Sequence, residues 1–303
     1  GSLFNQYNIE PEIVTNVPFS PKKRKLSFNE NDEEDNTKTL VNDYTYDENN
    51  IFRFEIGKDM LIDDPENANR KIQLKLYSWD NKDKTILEYA LNKATHEGSI
   101  DQQTIIDIPV LVKYVYSQHE GLVNKSKNIN GKYYQDIRER LQRLYSYSIV
   151  YLEKDRNNKV VKTTKVHCFE KFVWDHESDT VTIMLSSTIN ESLQGDNVAY
   201  ISKSEVSMLS DKTSRLLYVP LIKARKEVMA NPDNNSEYNF SYDFFRRHIR
   251  FDTKKEETNM KYVETLLLDF KSNNLIVEDF KRTLNGGIRI KFLPIVQNNL
   301  LEV

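Results

Sequence analysis

The sequence predicts an α+β protein of two successive domains built on one plan and preceded by a flexible polar tail. Three observations predict it: hydrophobic periodicity switches repeatedly between strand and helix, one apolar pattern recurs after 126 residues, and composition changes abruptly near residue 50. The tail comes first. Residues 1–50 mix prolines, Asn, Asp and Glu with the cluster Pro21-Lys22-Lys23-Arg24-Lys25, and no apolar period is sustained there. They are expected to be disordered. Gly1 and Ser2 carry no fold information.

From Ile51 the chain alternates as half-buried strands do, over Ile51–Ile56 and Ile72–Leu76, with a polar loop containing Asp63, Asp64 and Pro65 between them. A hairpin is expected to open the first domain. Ile86, Leu87, Ala90, Leu91 and Ala94 follow at helical spacing, then a short strand over Thr104–Ile108 and a helix started by Pro109. The next helix, about Gly131–Leu144, puts Tyr134, Ile137, Leu141 and Leu144 on one face and Lys132, Gln135, Gln142 and Arg143 on the other. Strand periodicity then runs to Leu185 with turns at Asp155–Asn158 and Asp175–Asp179, as a β-hairpin or three-stranded wing does.

The second half repeats this order. Helical patterns over Asp211–Val228, from Ser241, and over Glu257–Lys271 bracket a short strand near Tyr238–Phe240. Strands over Leu275–Phe280 and Ile288–Leu293 flank the turn Asn285-Gly286-Gly287. A shift of 126 residues pairs Tyr134, Ile137, Leu141 and Leu144 with Met260, Val263, Leu267 and Phe270, and continues to Ile149/Leu275 and Val150/Ile276, each pair apolar. The domains are therefore set at 51–195 and 196–303. A strand, two helices and a hairpin is the order of a winged helix-turn-helix, so the prediction becomes two tandem winged-helix domains.

Composition bounds the function. The formal net charge of −3 hides segregation: between Glu30 and Glu66, 13 Asp/Glu stand against Lys38, Arg53 and Lys58, whereas the chain from Asn67 onward carries net +5. No apolar run is long enough for a membrane span, and the first residues lack a secretory pattern, so a soluble intracellular protein is expected. Cys168 alone cannot form an internal disulfide, and the five histidines show no metal-site spacing. Phosphate-loop, dinucleotide, nucleophile-elbow and zinc-protease signatures are absent, and Val166-His167-Cys168 offers one histidine where a DNA-nicking enzyme needs a pair. No enzymatic activity, metal or cofactor is expected.

Double-stranded DNA is the partner these faces suit, because Lys and Arg neutralise phosphates and Gln can pair with adenine edges. In the first domain the candidates are Lys125, Lys127, Lys132, Gln135, Gln142 and Arg143. In the second they are Arg246, Arg247 and Arg250 on the helix before the reading helix, Lys254, Lys255, Thr258 and Lys261 at its start and outer face, and Lys281, Arg282 and Asn285 on the hairpin. Phe244 and Phe245 read as core.

Thr104-Ile-Ile-Asp-Ile-Pro-Val-Leu111 with Tyr133-Tyr-Gln-Asp-Ile-Arg-Glu-Arg-Leu141, and Tyr200, Ser214-Arg-Leu-Leu-Tyr218 and Phe240-Ser-Tyr-Asp-Phe-Phe-Arg-Arg247, resemble the iteron-binding plasmid replication initiators, a Rep_3-like family with tandem winged-helix domains. The resemblance implies recognition of repeated origin sites, opening of the adjacent duplex, recruitment of host replication proteins and a homodimer that represses its own gene. A bacterial plasmid host implies a cytoplasmic location. The acidic stretch departs from the family pattern, and Lys22, Lys23, Arg24 and Lys25 are spaced as in a nuclear-import signal, which implies a nucleus instead. Two other readings stay open: a winged-helix transcription regulator, and a protein-binding scaffold without DNA contact.

Overall fold

The computed structural model describes residues 6–30, 39–57, 61–64, 67–73, 75–97, 103–120 and 130–296. The fold is mixed α/β, and the chain divides into two compact units: an N-terminal unit, Asn8–Ala199, and a C-terminal unit from Tyr200 onward, to which the first residues through Tyr7 also belong.

In the N-terminal unit, β1 (Tyr7–Glu10) and α1 (Glu12–Thr15) precede β2 (Asn29–Glu30), β3 (Thr39–Thr45) and β4 (Asn50–Gly57). Strict alternation along β4 buries Phe52, Phe54 and Ile56 on one face. The strand expected to pair with it does not do so: β5 (Leu61–Asp64) and β6 (Asn67–Gln73) pair with each other, so Asp63 and Asp64 lie in a strand and not in a loop. The partners of β4 are β3 on one side and β8 (Ser148–Lys154) on the other, in a five-stranded antiparallel sheet ordered β2-β3-β4-β8-β9 with β9 (Val160–Val166).

The remaining elements are α2 (Asn81–Glu97), β7 (Gln103–Asp107), α3 (Ile108–Glu120), α4 (Gly131–Ser146), β10 (Phe169–Asp175), β11 (Thr180–Leu185) and α5 (Ser187–Gln194). Asn130 caps α4, its side chain accepting from the Lys132 amide at 3.0 Å. A second sheet is ordered β10-β11-β7. The run after α4 is therefore not one wing. Its first two strands complete the large sheet and only the β10–β11 hairpin returns to β7.

Over residues 6–30 and 39–50 the expectation of a disordered tail is corrected, while residues 1–5 and 31–38 of it lie outside the described residues. Val14, Val17, Phe19 and Leu26 are buried, and Phe19 stacks on Trp79. The backbone is pinned as well, since the Ser20 amide donates to the Trp79 carbonyl at 2.9 Å and the Leu26 amide to the Leu76 carbonyl at 2.9 Å. These apolar residues are too few and too irregularly spaced to show a period, and a segment that runs across a core needs none. The cluster 22–25 belongs to this packed stretch. Lys23 pairs with Asp136 at 3.1 Å, and the Arg24 amide donates to Ser78.

The same stretch meets α4 through Lys23, and Phe28 packs on Tyr147 just past the end of the helix. Trp79, Tyr147, Phe54 and Phe28 form an aromatic cluster beside its C-terminal half, in which Glu139, Arg140, Leu141, Gln142, Arg143 and Leu144 are all buried. Arg140 and Lys84 find neighbouring charge here, whereas among the described residues the guanidinium nitrogens of Arg143 have no hydrogen-bond partner. The Arg140 guanidinium reaches Asp80 at 2.5 Å, Asp136 at 2.8 Å and Asp83 at 3.1 Å, and Lys84 reaches Glu10 at 3.1 Å.

Three carboxylates share Arg140, with Lys23 beside Asp136 and Arg143 near Asp83, and burial disfavours keeping all three ionised inside the fold. Arg140 and its hydrogen bonds hold Asp80 and Asp136 below the usual carboxylate range despite their burial. Burial, reinforced by the charge of Asp80, pushes Asp83 up to about 7. Because the folded chain then holds a proton that an unfolded Asp, with its ordinary value of 3.8, releases, the contribution of Asp83 to stability is complete at acid pH and is lost as pH rises toward 7. Urea unfolding at a series of pH values between about 4 and 7 is expected to show this slope in the native chain, and a shallower one in Asp83→Asn.

In the C-terminal unit, β12 (Ala199–Ser202) leads into α6 (Lys203–Met208), α7 (Arg215–Met229), β13 (Glu237–Phe240), α8 (Tyr242–His248), α9 (Glu256–Ser272), β14 (Val277–Arg282) and β15 (Ile288–Phe292). Apolar residues at helical spacing give α9 its core face, Met260, Val263, Leu267 and Phe270, all fully buried. Leu216, Leu217, Phe245, Ile288 and Ile290 are among the other residues of this core. Asp269 ties the start of α7 to α9, accepting from the amides of Ser210 and Asp211 and from the Ser214 hydroxyl.

Its three-stranded sheet is ordered β13-β15-β14, which matches β7-β11-β10 strand for strand. The helix half of the 126-residue repeat is thus realised as two core helices. The strand half is not: Ile149 sits in β8 of the large sheet, while Leu275 and Ile276 form a turn before β14, Ile276 with φ of 64°. Insertion of β8 and β9 into the N-terminal unit breaks the equivalence there.

Candidate nucleic-acid interface

The exposed stripe of α9 consists of Thr258, Lys261, Thr265 and Leu268, spaced three and four residues apart opposite the core face. Lys254 and Lys255, both exposed, precede the helix, and the Thr253 hydroxyl accepts from the Lys255 amide at 3.1 Å. Thr265 is turned back on its own helix, its hydroxyl donating to the Tyr262 carbonyl at 2.6 Å. Glu256 and Glu257 occupy the first turn, where a helix favours negative charge.

The β14–β15 hairpin lies against the start of this helix. Arg282 pairs with Glu257 at 2.9 Å and approaches Glu264 at 3.9 Å, which holds the Glu257 carboxyl below its ordinary value. Lys281 and Asn285 stay exposed. At the tip, the Thr283 amide donates to the Gly287 carbonyl at 2.9 Å and the Gly286 amide to the Thr283 carbonyl at 3.1 Å. Gly286 has φ of +85°, a conformation that favours glycine, and a Cβ on Gly287 would stand 2.7 Å from the Phe240 carbonyl oxygen. An open polar groove between the tip, α8 and the residues before α9 is lined by Ser241, Arg246, Lys254, Glu256, Asn285 and Gly286.

The structure thus brings Lys254, Lys255, Thr258, Lys261, Lys281, Arg282 and Asn285 to one helix and its hairpin. It corrects others. Arg250 is buried at 4% exposure, because it follows α8 into the core beside Ile249 and Phe251. Arg246 is half-buried, paired with Asp243 at 2.7 Å and over the Tyr242 ring, whereas Arg247 is exposed. As expected, Phe245 is core, while Phe244 is half-buried and packs on Phe240, Phe245 and His248.

In the N-terminal unit the expected reading face does not assemble. Lys132 is exposed and Gln135 half-buried, but Gln142 and Arg143 are buried at 4% and 0% exposure. The guanidinium of Arg143 lies 5.3 Å from the centre of the Tyr77 ring. Helical periodicity cannot show that a second layer covers the polar face, and the residues that form it lie far away in sequence. Lys125 and Lys127 fall outside the described residues. The β10–β11 hairpin carries Asp175, Glu177 and Asp179 at its turn, the last paired with Arg138 at 2.6 Å, so its tip is acidic where that of β14–β15 is flanked by Lys281 and Arg282.

Cys168 is buried between β9 and β10, and burial pushes its thiol up to about 12, which suits packing and not nucleophilic chemistry. Among the described residues, no group of three or more His, Cys, Asp or Glu could hold a metal ion, and no helix is long and apolar enough to cross a membrane.

No family model matches the chain, and no curated protein matches it. Among solved structures it is similar to domains 2 and 3 of RctB. A selenomethionine structure of those domains shares 9% identity over 95% of this chain and 99% of that one, with a TM-score of 0.45, and a second structure shares 7% identity over 93% and 96%, with a TM-score of 0.39. At these values the functional reading rests on the side chains described above.

Proposed function

We propose that the chain is a sequence-specific double-stranded DNA-binding protein, that its C-terminal unit is a winged helix whose α9 enters the major groove, and that it serves as a replication initiator. The observation that carries the DNA contact is the exposed stripe of α9, flanked by Lys254 and Lys255 on one side and by the hairpin with Lys281 and Asn285 on the other. Element order supports the winged-helix reading, since β13, α8, α9 and the β14–β15 hairpin follow one another as strand, two helices and wing. The N-terminal unit repeats the order with an inserted hairpin and an acidic tip. The initiator role, with its repeated origin sites and recruited replication proteins, follows from the motif resemblance.

Duplex binding by the full chain, followed by fluorescence anisotropy from 50 to 200 mM salt, is expected to weaken by a factor of ~10³ to 10⁵ if ~6 to 10 phosphates are neutralised. A flat response would sink the reading. Recovering bound sequences from a random duplex pool separates specific from general binding. Permanganate reactivity beside the recovered site then separates an initiator, which opens the duplex, from a regulator that only occupies it.

A further inference from the structure

Leu284 stands at the apex of the β14–β15 hairpin and is 106% exposed, more than an extended reference leucine. Single exposed leucines are common on protein surfaces and need no explanation in themselves. This one differs in its setting. The tip that carries it is held by four hydrogen bonds between Thr283 and residues 286–287, two from backbone amides to carbonyls and two that use the Thr283 hydroxyl, which donates to the Gly287 carbonyl at 3.1 Å and accepts from the Gly287 amide at 3.2 Å. The Thr283 hydroxyl also lies 3.3 Å from the Asn239 side-chain oxygen. The apolar side chain is therefore presented by a fixed turn. Lys281 lies on one side of it, Asn285 is the next residue, and Arg282 anchors the hairpin to α9.

We infer that Leu284 is an apolar wedge that enters the minor groove of duplex DNA and partly unstacks one base step. Duplex-distorting proteins combine these features, a cationic or amide-bearing arm that follows the groove and an apolar side chain that enters between bases. The inference rests on the proposed DNA contact and deepens it. It assigns to the hairpin a distortion of the duplex in addition to phosphate contact. Asn285, beside the leucine, can reach the acceptors of an A·T pair in that groove.

The side chain touches nothing in the folded chain, so its replacement leaves folding unaltered and thermal unfolding serves as the control. Full-length native chain, Leu284→Ser and Leu284→Met are compared on the duplex recovered from the pool. The probe carries 2-aminopurine at successive positions beside the contacted site and a dye pair at its ends. Native chain and Leu284→Met are expected to raise 2-aminopurine fluorescence at one step and to bring the dyes together. Leu284→Ser is expected to do neither, and to bind about tenfold more weakly, because it forfeits burial of a leucine but no longer unstacks the step. Its salt slope is expected to equal that of the native chain, since no charge has changed. Equal affinity and equal fluorescence for Leu284→Ser and native chain overturn the wedge and leave the DNA contact standing. Failure of the native chain to bind any duplex in the pool overturns both.

Discussion

Arg140→Ala is expected to lower the unfolding free energy by about 3 to 5 kcal/mol, because it removes the cation shared by Asp80, Asp83 and Asp136 and leaves buried carboxylates uncompensated. The figure comes from broken buried pairs in general. The pair is almost wholly excluded from solvent here, with the side chains of Arg140 and Asp80 exposed by only 3% and 5%, so screening by water and salt offers little relief. Guanidinium unfolding measures the change, and a loss below about 1 kcal/mol would show that the site relaxes or floods with water. Arg140→Lys should fall between the two, since an ammonium supplies the charge but not the fork that reaches Asp80 through both terminal nitrogens. The lesion is expected to spread. Asp136 also accepts from Tyr116 and from Lys23, so the network joins α3, α4 and the N-terminal stretch.

Lys254→Ala, Lys255→Ala and Lys261→Ala combined are expected to reduce DNA affinity about a hundredfold at 0.15 M salt. Each lost phosphate contact removes ~0.9 from the slope of log affinity against log salt, which at that concentration is ~0.7 of a decade. Anisotropy titrations at several salt concentrations give both numbers, the drop in affinity and a slope shallower by about three. All three side chains are exposed, so the melting temperature is expected to stay within a few degrees of the native value. A variant that binds with native affinity and slope would move the interface elsewhere on the chain. The choice of these three follows from what the structure leaves free. Arg282 is engaged by Glu257 and Glu264, and Arg250 is inside the core, so neither offers an uncommitted charge to a phosphate.

The two halves of the chain were legible to different degrees. In the C-terminal half, local signals agree with the observed elements: the apolar stripe of α9, the short strand before α8 and the Gly286-Gly287 turn, across which β14 pairs with its neighbour β15. The candidate face on α9 could be read because that helix has one buried side. Leu284 is an apolar residue inside a polar turn, a feature visible in the sequence. In the N-terminal half the same reasoning placed α4 correctly and misjudged its surroundings. Gln142 and Arg143 lie on a polar face by periodicity, yet both are buried, and the Tyr77 ring, distant along the chain, lies 5.3 Å from the Arg143 guanidinium.

Spacing within a few residues was enough to assign helix and strand through most of residues 81–292, the apolar faces of α2, α4 and α9, and the repetition of a helical unit. Long-range packing settled that β4 pairs with β3 and β8 rather than with β6, that residues 14–26 of the expected tail are part of a core, and that basic and polar residues of similar appearance divide into ion-paired, buried and exposed sets. Those outcomes depend on contacts between distant segments. A polar face becomes interior when another part of the chain covers it with matching charge, as Asp80 and Asp83 do for Arg140, and no local pattern records that meeting.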